Sequence, residues 1–400
     1  MTANRKPRSL PNEQKLRLWG VGWALALAFA AAVLAAGGTL YGLVVLLDFQ
    51  KIDTTAKLDA KTLFDLVKLS FGVVAGAGAL VALVVAYRRQ RVDEAGAHRE
   101  TTRLHTERFS QAVDKLGSDS PAVRLGGVHA LAGLADDAPD DSLRQTCIDV
   151  LCAYLQLPFT PDPGTDPADQ EEHHRYLAFR KVRHTILRLI GDHYRRPKGT
   201  HRSWQGCDLD LTGVTIDGSI DFRSAEFSDG TVSFSDATFS GGEVLFSDAT
   251  FSGSTVIFTG ATFSGSTVLF SDATFSDGEV AFSVATFSGS TVFFSDATFS
   301  GSTVPFNGAT FSGSTVPFNG ATFSGSTVLF SDATFSDGEV VFIYATFSDR
   351  EVSFGGATFS GGEVSFYGAT GPVPPGLLAA GGTPPPAGVT LPSAWLLSAS

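Results

Sequence analysis

The chain has 400 residues, 43% hydrophobic and 18% charged, with 29 Lys and Arg against 41 Asp and Glu, for a formal net charge of −12. That length allows two or three domains, and the excess of Gly (43) and Phe (33) over a single Met comes from the C-terminal half, so the segments are read separately. Three cysteines, Cys147, Cys152 and Cys207, form no CxxC pair and no zinc spacing with His, and their odd number argues against a disulfide framework and for a reducing compartment.

A basic N-terminus (1–17) precedes thirty residues without a charge, 18–47, more than the roughly 20 that an α-helix needs to cross a bilayer. This run is about twice the length of a signal-peptide apolar core and a second one follows, so it reads as a spanning helix and not a cleaved leader. The second run, 69–87, carries Gly72 and Gly76 at GxxxG spacing, opposite Gly38 and Gly42 of the first, which suits a helical hairpin across an external connector, 48–68. Arg5, Lys6, Arg8, Lys15 and Arg17 before the first span, and Arg88, Arg89 and Arg91 after the second, place both termini in the cytoplasm. Trp19 and Trp23 fit an interfacial anchor.

Residues 88–200 read as a small helical domain. Leu104, Phe109, Val113 and Leu116 recur at helical spacing up to Gly117, and Ser120 and Pro121 open a helix with Val128, Leu131 and Leu134 or Ala135 on its apolar stripe. A third helix, capped by Asp141 or Ser142 and stopped by Pro158, puts Cys147 and Leu151 on one core face. A Pro-rich break near 157–170 separates it from a fourth helix, apolar at Phe179, Val182, Ile186 and Ile190 and basic elsewhere. His173 and His174 are neighbours, about 100° apart on a helix, with no i,i+4 partner that completes a metal set, so they read as a solvated helix end.

From 203 to 370 the sequence repeats. Phe227, Phe239, Phe251, Phe263, Phe275, Phe287, Phe299, Phe311, Phe323, Phe335, Phe347 and Phe359 recur every twelve residues. A second series, Phe234, Phe246, Phe258, Phe270, Phe282, Phe294, Phe306, Phe318, Phe330, Phe342, Phe354 and Phe366, keeps the same period, and steps of seven and five separate the two. In the triplets ATF and VLF the outer residues share one face and the middle one takes the other, which is a short strand, while SG, SD and NG pairs are turn residues. Such short strands bury Phe only if successive turns of chain stack about 4.8 Å apart, so the expected product is a β-solenoid with the Phe rings as its structural core ladders. "FSGSTVLFSDATFSDGEV" stands at both 263–280 and 323–340.

Small-x-[Leu/Phe] motifs five apart, as in "GVTIDGSIDFRSAEF" and "TGATF", resemble the pentapeptide-repeat family, most closely where Leu209, Leu211, Val214 and Ile216 open the rod. The resemblance implies a right-handed, four-sided β-helix, but every second step here is seven residues. That leaves a 24-residue coil with two longer sides or a thin 12-residue coil. Two Phe in a 12-residue ring would crowd its interior, whereas a 24-residue coil stacks Asp248, Asp272 and Asp296, a like-charge column that is disfavoured. Together with the two hydrophobic runs, "YRRQR", "GSDSPAVRLGGVHALAGLADD", "RQTCIDVLCAYLQLP" and "SWQG" resemble a group of bacterial membrane-anchored pentapeptide-repeat proteins.

The Pro/Gly-rich stretch 371–400 reads as a disordered tail in which Leu377 and Leu378 are available to cover the last coil. No phosphate loop, HExxH, nucleophile elbow or repeat-borne His is present, so neither catalytic nor metal residues nor a cofactor is expected, and the chain does not read as an enzyme. Between Cys207 and Thr370 nineteen Asp and Glu face Arg223 and Arg350 alone. The family resemblance then implies a second possibility, imitation of duplex DNA towards a type II topoisomerase, although 297–331 carries no charge. The expectation is a cytoplasm-facing scaffold, integral to the membrane by two helices, for a protein partner whose identity the sequence does not give. Direct nucleic-acid binding is not expected. The acidic mimic ranks second among the expected roles and an inert spacer third.

Overall fold

The computed structural model describes residues 60–159, 162–164, 166–348, 352–381 and 388–397, with Leu27, Ala30, Val33, Leu34 and Gly38. Two compact units divide the chain, Met1–Thr101 and Thr102–Ser400. The helices are α1 (Ala60–Leu116), α2 (Pro121–Asp136), α3 (Asp141–Gln156), α4 (Gln170–Tyr194), α5 (Leu377–Gly381) and α6 (Ser393–Leu397).

Among the described residues no helix is long and apolar enough to cross a membrane. The expected second span, 69–87, is instead part of α1, which carries Lys61, Asp65 and Lys68 before that stretch and Arg88, Arg89 and Arg91 after it in one continuous helix. A Cβ added at Gly38, Gly72 or Gly76 meets nothing within 4 Å, so the helix-to-helix contact expected from the glycine spacing is not found among the described residues. The first expected span, 18–47, lies almost wholly outside those residues.

Within the second unit, α2 follows Ser120 with Pro121 in its first turn and buries Val128, Leu131, Leu134 and Ala135. The cap of α3 is Asp140, one residue before the expected pair, its carboxylate accepting from the Leu143 N–H at 2.9 Å. Between 101 and 116 of α1 the buried positions are His105, Ala112 and Leu116, while Leu104 is exposed, because the stripe facing α2 and α3 is one residue out of phase with the expected one at its start. Helix α4 buries Val182, Ile186 and Ile190 as the spacing predicts and leaves Phe179 half-buried.

The rod is a right-handed-type β-solenoid of about 7 turns. Thr250 pairs with Thr274, Phe251 with Phe275 and Val268 with Val292, all parallel and 24 residues apart, which decides between the two coil sizes. Each 12-residue unit is therefore half a coil, and the strands form one sheet of 11 and one of 13, facing each other. The Phe-Ser-Asp-Ala and Phe-Asn-Gly-Ala steps make the tight corners: the Ala249 N–H donates to the Phe246 carbonyl at 3.0 Å, and Asp248 takes a left-handed φ of 59°. The Ser-Gly pairs at 252–253 and 312–313 are not corners of this kind, since the strands Thr250–Ile257 and Thr310–Pro317 run through them, whereas at 264–265 the strand breaks between Ser264 and Thr267.

Neither end of the rod is left open. At the N-terminal edge the helices supply the hydrogen bonds a missing coil would have made: Gln145 exchanges two bonds with the Asp208 backbone, Gln156 donates to the Asp210 carbonyl, Arg183 to that of Thr215 and Arg180 to that of Asp217. Tyr194 sits on the first Phe rings, 6.0 Å from Phe222 and 5.3 Å from Phe227, and helix and rod share one hydrophobic core. Helices α2, α3 and α4 thus cap the N-terminal edge of the rod. At the other end the stretch expected to be disordered folds back. Val389–Thr390 adds a parallel strand to Glu363–Ser365, and Leu377 and Trp395 are buried over the last rings. Trp395 lies 5.6 Å from Phe366 and donates its indole N–H to the Gly371 carbonyl at 2.9 Å, which blunts the sheet edge.

Candidate functional site

The interior of the rod is filled by its Phe rings. Both Phe series fall into columns one coil apart: Phe227 to Phe347, Phe239 to Phe359, Phe234 to Phe354 and Phe246 to Phe366, every second member belonging to the same column. Along a column the rings are parallel, as for Phe246 and Phe270 at 4.7 Å and 0°, and across the coil they meet edge to face, as for Phe246 and Phe258 at 6.1 Å and 90°. All are buried except Phe359, half-buried in the last half-coil. One Ala and one Val per unit fill the remainder, Ala249 and Val256 for example. The structure brings these residues together as the rod's core, and what a partner could touch on the rod is its outward face.

That face is a set of straight rows. On one side the half-buried Leu245, Leu269 and Phe293 stack in register beside Glu243, Thr267 and Thr291, and Pro317 and Val341 prolong the row as buried members. The opposite side repeats the scheme with the half-buried Ile257 and Leu329 and the buried Ala281 and Pro305 beside Thr255, Glu279, Thr303 and Thr327. The sequence pattern marks this position only as the outward member of a strand triplet, and the apolar rows were not expected from it; the recurrent Leu, Ile, Phe, Pro and Val there were the available signal. Asp248, Asp272 and Asp296 do stack in one column, at exposed corners. Water screens carboxylates there, at a cost of about 1 kcal/mol for a pair some 4 Å apart, which the core outweighs.

Because a unit is half a coil, neighbouring units lie on opposite sides. The two verbatim copies, starting at Phe263 and Phe323, are sixty residues or two and a half coils apart, so identical sequences face opposite directions.

The reactive side chains lie elsewhere. Burial pushes the thiols of Cys147 and Cys207 up to about 11 and that of Cys152 to about 12, so all three remain protonated near neutrality. Cys147 Sγ lies 3.9 Å from His105 Nε2, a contact between a thiol and an imidazole whose pKa burial lowers. No group of three or more His, Cys, Asp or Glu able to hold a metal occurs among the described residues. His173 pairs with Asp162 at 2.7 Å while His174 is exposed. At the junction of α4 with the rod, Asp217 accepts from Tyr176, Arg180 and His184 at 3.1, 2.8 and 2.9 Å. Burial works against its charge, but the bonds from His184 and Arg180 outweigh that and hold it well below the usual carboxylate range.

The architecture is that of a repeat protein, a solenoid whose coils each contact only their neighbours. Within it, residues 318–370 fit the family model for pentapeptide repeats (9 copies), so this stretch of the β-solenoid is similar to that family. No curated protein matches the chain as a relative.

Proposed function

We propose that the chain is a non-enzymatic docking scaffold, held at a membrane by its N-terminal part, with the rod as the surface that a protein partner reads. The observation that carries this reading is the pair of flat sides, each with a partly buried apolar row flanked by a row of Thr and Glu at a fixed spacing. Backbone hydrogen bonds hold such rows rigid, so a partner that matches them meets little ordering cost. The tether rests on the uncharged run 18–47 and on α1, where Leu69, Leu80 and Leu83 are 54%, 55% and 68% exposed, apolar surface that lipid would cover. The basic flanks favour a rod on the cytoplasmic side.

The test uses the half-coil geometry. Deleting the two units 285–308 from the full chain removes one coil and keeps every later row on its side, whereas deleting one unit, 285–296, turns all that follows to the opposite side without changing the core pattern. Proteins cross-linked to the rod in native membranes are expected to survive the 24-residue deletion and to be lost with the 12-residue one. Equal retention in both would leave the rod a spacer. Cross-links lost in both but restored at low salt would favour the acidic mimic. Extraction of the full chain from membranes by carbonate alone would remove the tether from the proposal.

A further inference from the structure

The helical cap contains a cleft of about 380 Å³ that the docking reading leaves unused. Four aromatic residues line it, Tyr154, Phe159, Tyr176 and Phe179, together with Arg124 and Arg183. Arg183 is 4% exposed, lies 4.7 Å from the Phe159 ring centroid, and gives Nη1 and Nη2 to the carbonyls of Leu155 and Thr215 at 2.8 and 3.1 Å. Arg124 lies 4.6 Å over the Phe179 ring and donates Nη1 to Tyr154 Oη at 3.0 Å and Nε to the Ser118 carbonyl.

Neither guanidinium forms an ion pair with a carboxylate among the described residues. Carbonyl oxygens and ring faces satisfy part of their hydrogen-bonding need but cancel no charge, and a buried cation without a counter-charge is costly. Asp217, whose charge reaches Arg183, is already bound by Arg180 and His184. Of the other lining residues Glu172 is exposed, and Arg175 pairs with Glu171 at 3.6 Å, so the lining remains net positive. The guanidinium fork fits planar or tetrahedral oxyanions, and the volume falls at the lower end of the range for small-molecule sites.

We infer that this cleft binds a small oxyanion carried on a single aromatic ring, its charge between Arg124 and Arg183 and its ring among Tyr154, Phe159, Tyr176 and Phe179. The inference does not depend on the docking role of the rod. The test is ligand-detected NMR on the full chain with phenyl phosphate, using inorganic phosphate and phenol as the two halves of the probe. Phenyl phosphate is expected to saturate in the millimolar range or below and to bind at least about tenfold more tightly than either half. Arg124→Gln, which spares the Arg183 bonds that join α3, α4 and the rod, is expected to weaken it by about tenfold or more, while Lys181→Gln, outside the cleft, leaves it unchanged. No saturation, or equal binding by Arg124→Gln and the unaltered chain, would overturn the site. Inorganic phosphate binding as tightly as phenyl phosphate would overturn the aromatic class.

Discussion

In the helical cap, Gln145, Gln156, Arg180 and Arg183 each satisfy backbone groups of the first coil by a different side-chain geometry, whereas in the rod the same groups are satisfied by the next coil through one bond pattern repeated at every turn. Phe246 N–H donates to the Leu269 carbonyl, Phe270 to that of Phe293 and Phe294 to that of Pro317. A unique solution fixes where the rod begins and which way it faces. A repeated one fixes neither its length nor its phase, so unit duplication is compatible with the fold, and the verbatim copies at 263 and 323 are what such freedom permits. Errors should accordingly remain local in the rod and spread from the cap.

The largest effect expected within the rod is that of Phe294→Ala. Its ring stacks on Phe270 and Phe318 at 4.9 and 4.7 Å and meets Phe282 and Phe306 edge to face at 5.9 Å, so truncation should cost about 4 kcal/mol in denaturant unfolding. Phe359→Ala, at the half-buried end of its column, should cost less than half as much. Equal losses would mean that the rod is not a nearest-neighbour stack.

Next in size is Gly191→Ala in α4. Helix propensity alone favours the change by about 1 kcal/mol. A Cβ there would lie 2.4 Å from the Asp221 carbonyl oxygen, however, so the helix must lift off the first coil at a cost of about 2–3 kcal/mol. A stabilised variant would show that the cap does not press on the rod at this point.

Asp217→Asn, at the same joint, should cost about 2 kcal/mol at neutral pH by weakening charge-assisted bonds to Arg180 and His184. Because the folded pKa of Asp217 is depressed, its contribution is complete above the unfolded value near 4 and is lost as pH falls through the lower folded value. The difference between the two proteins should therefore shrink on acidification below about pH 4. A difference that does not change with pH would assign the loss to packing.

The rod was legible from sequence because its signal is periodic: a Phe every seven and five residues leaves few ways to bury the rings. The coil size was not, since the 12-residue pattern repeats in either case and only the 24-residue pairing of Thr250 with Thr274 separates them. The caps were read poorly for the opposite reason. Gln145 and Gln156 look like ordinary helix-surface residues until the edge they satisfy is in place, and Trp395 stands in a stretch whose Pro and Gly content argues for disorder. Arg183 reads as one more basic residue on an amphipathic helix, although it is among its most buried side chains.

The smallest effect concerns a rod position that departs from its own repeat. Val284 occupies a corner with a left-handed φ of 51°, and the coils on either side place Gly260 and Gly308 there. A β-branched residue in that conformation is strained by about 1–2 kcal/mol, and its side chain is 58% exposed, so no burial offsets the strain. Replacing it with Gly releases the strain at an entropic cost of roughly 0.5–1 kcal/mol, and Val284→Gly should gain up to about 1 kcal/mol. Tyr344, 65% exposed with φ 58°, is the counterpart on the other corner. If both side chains are retained for contact with a partner, their glycine variants should be more stable yet lose cross-links to it; a gain in stability with undiminished cross-linking would make them drift within a tolerant repeat and confine recognition to the rows between the corners.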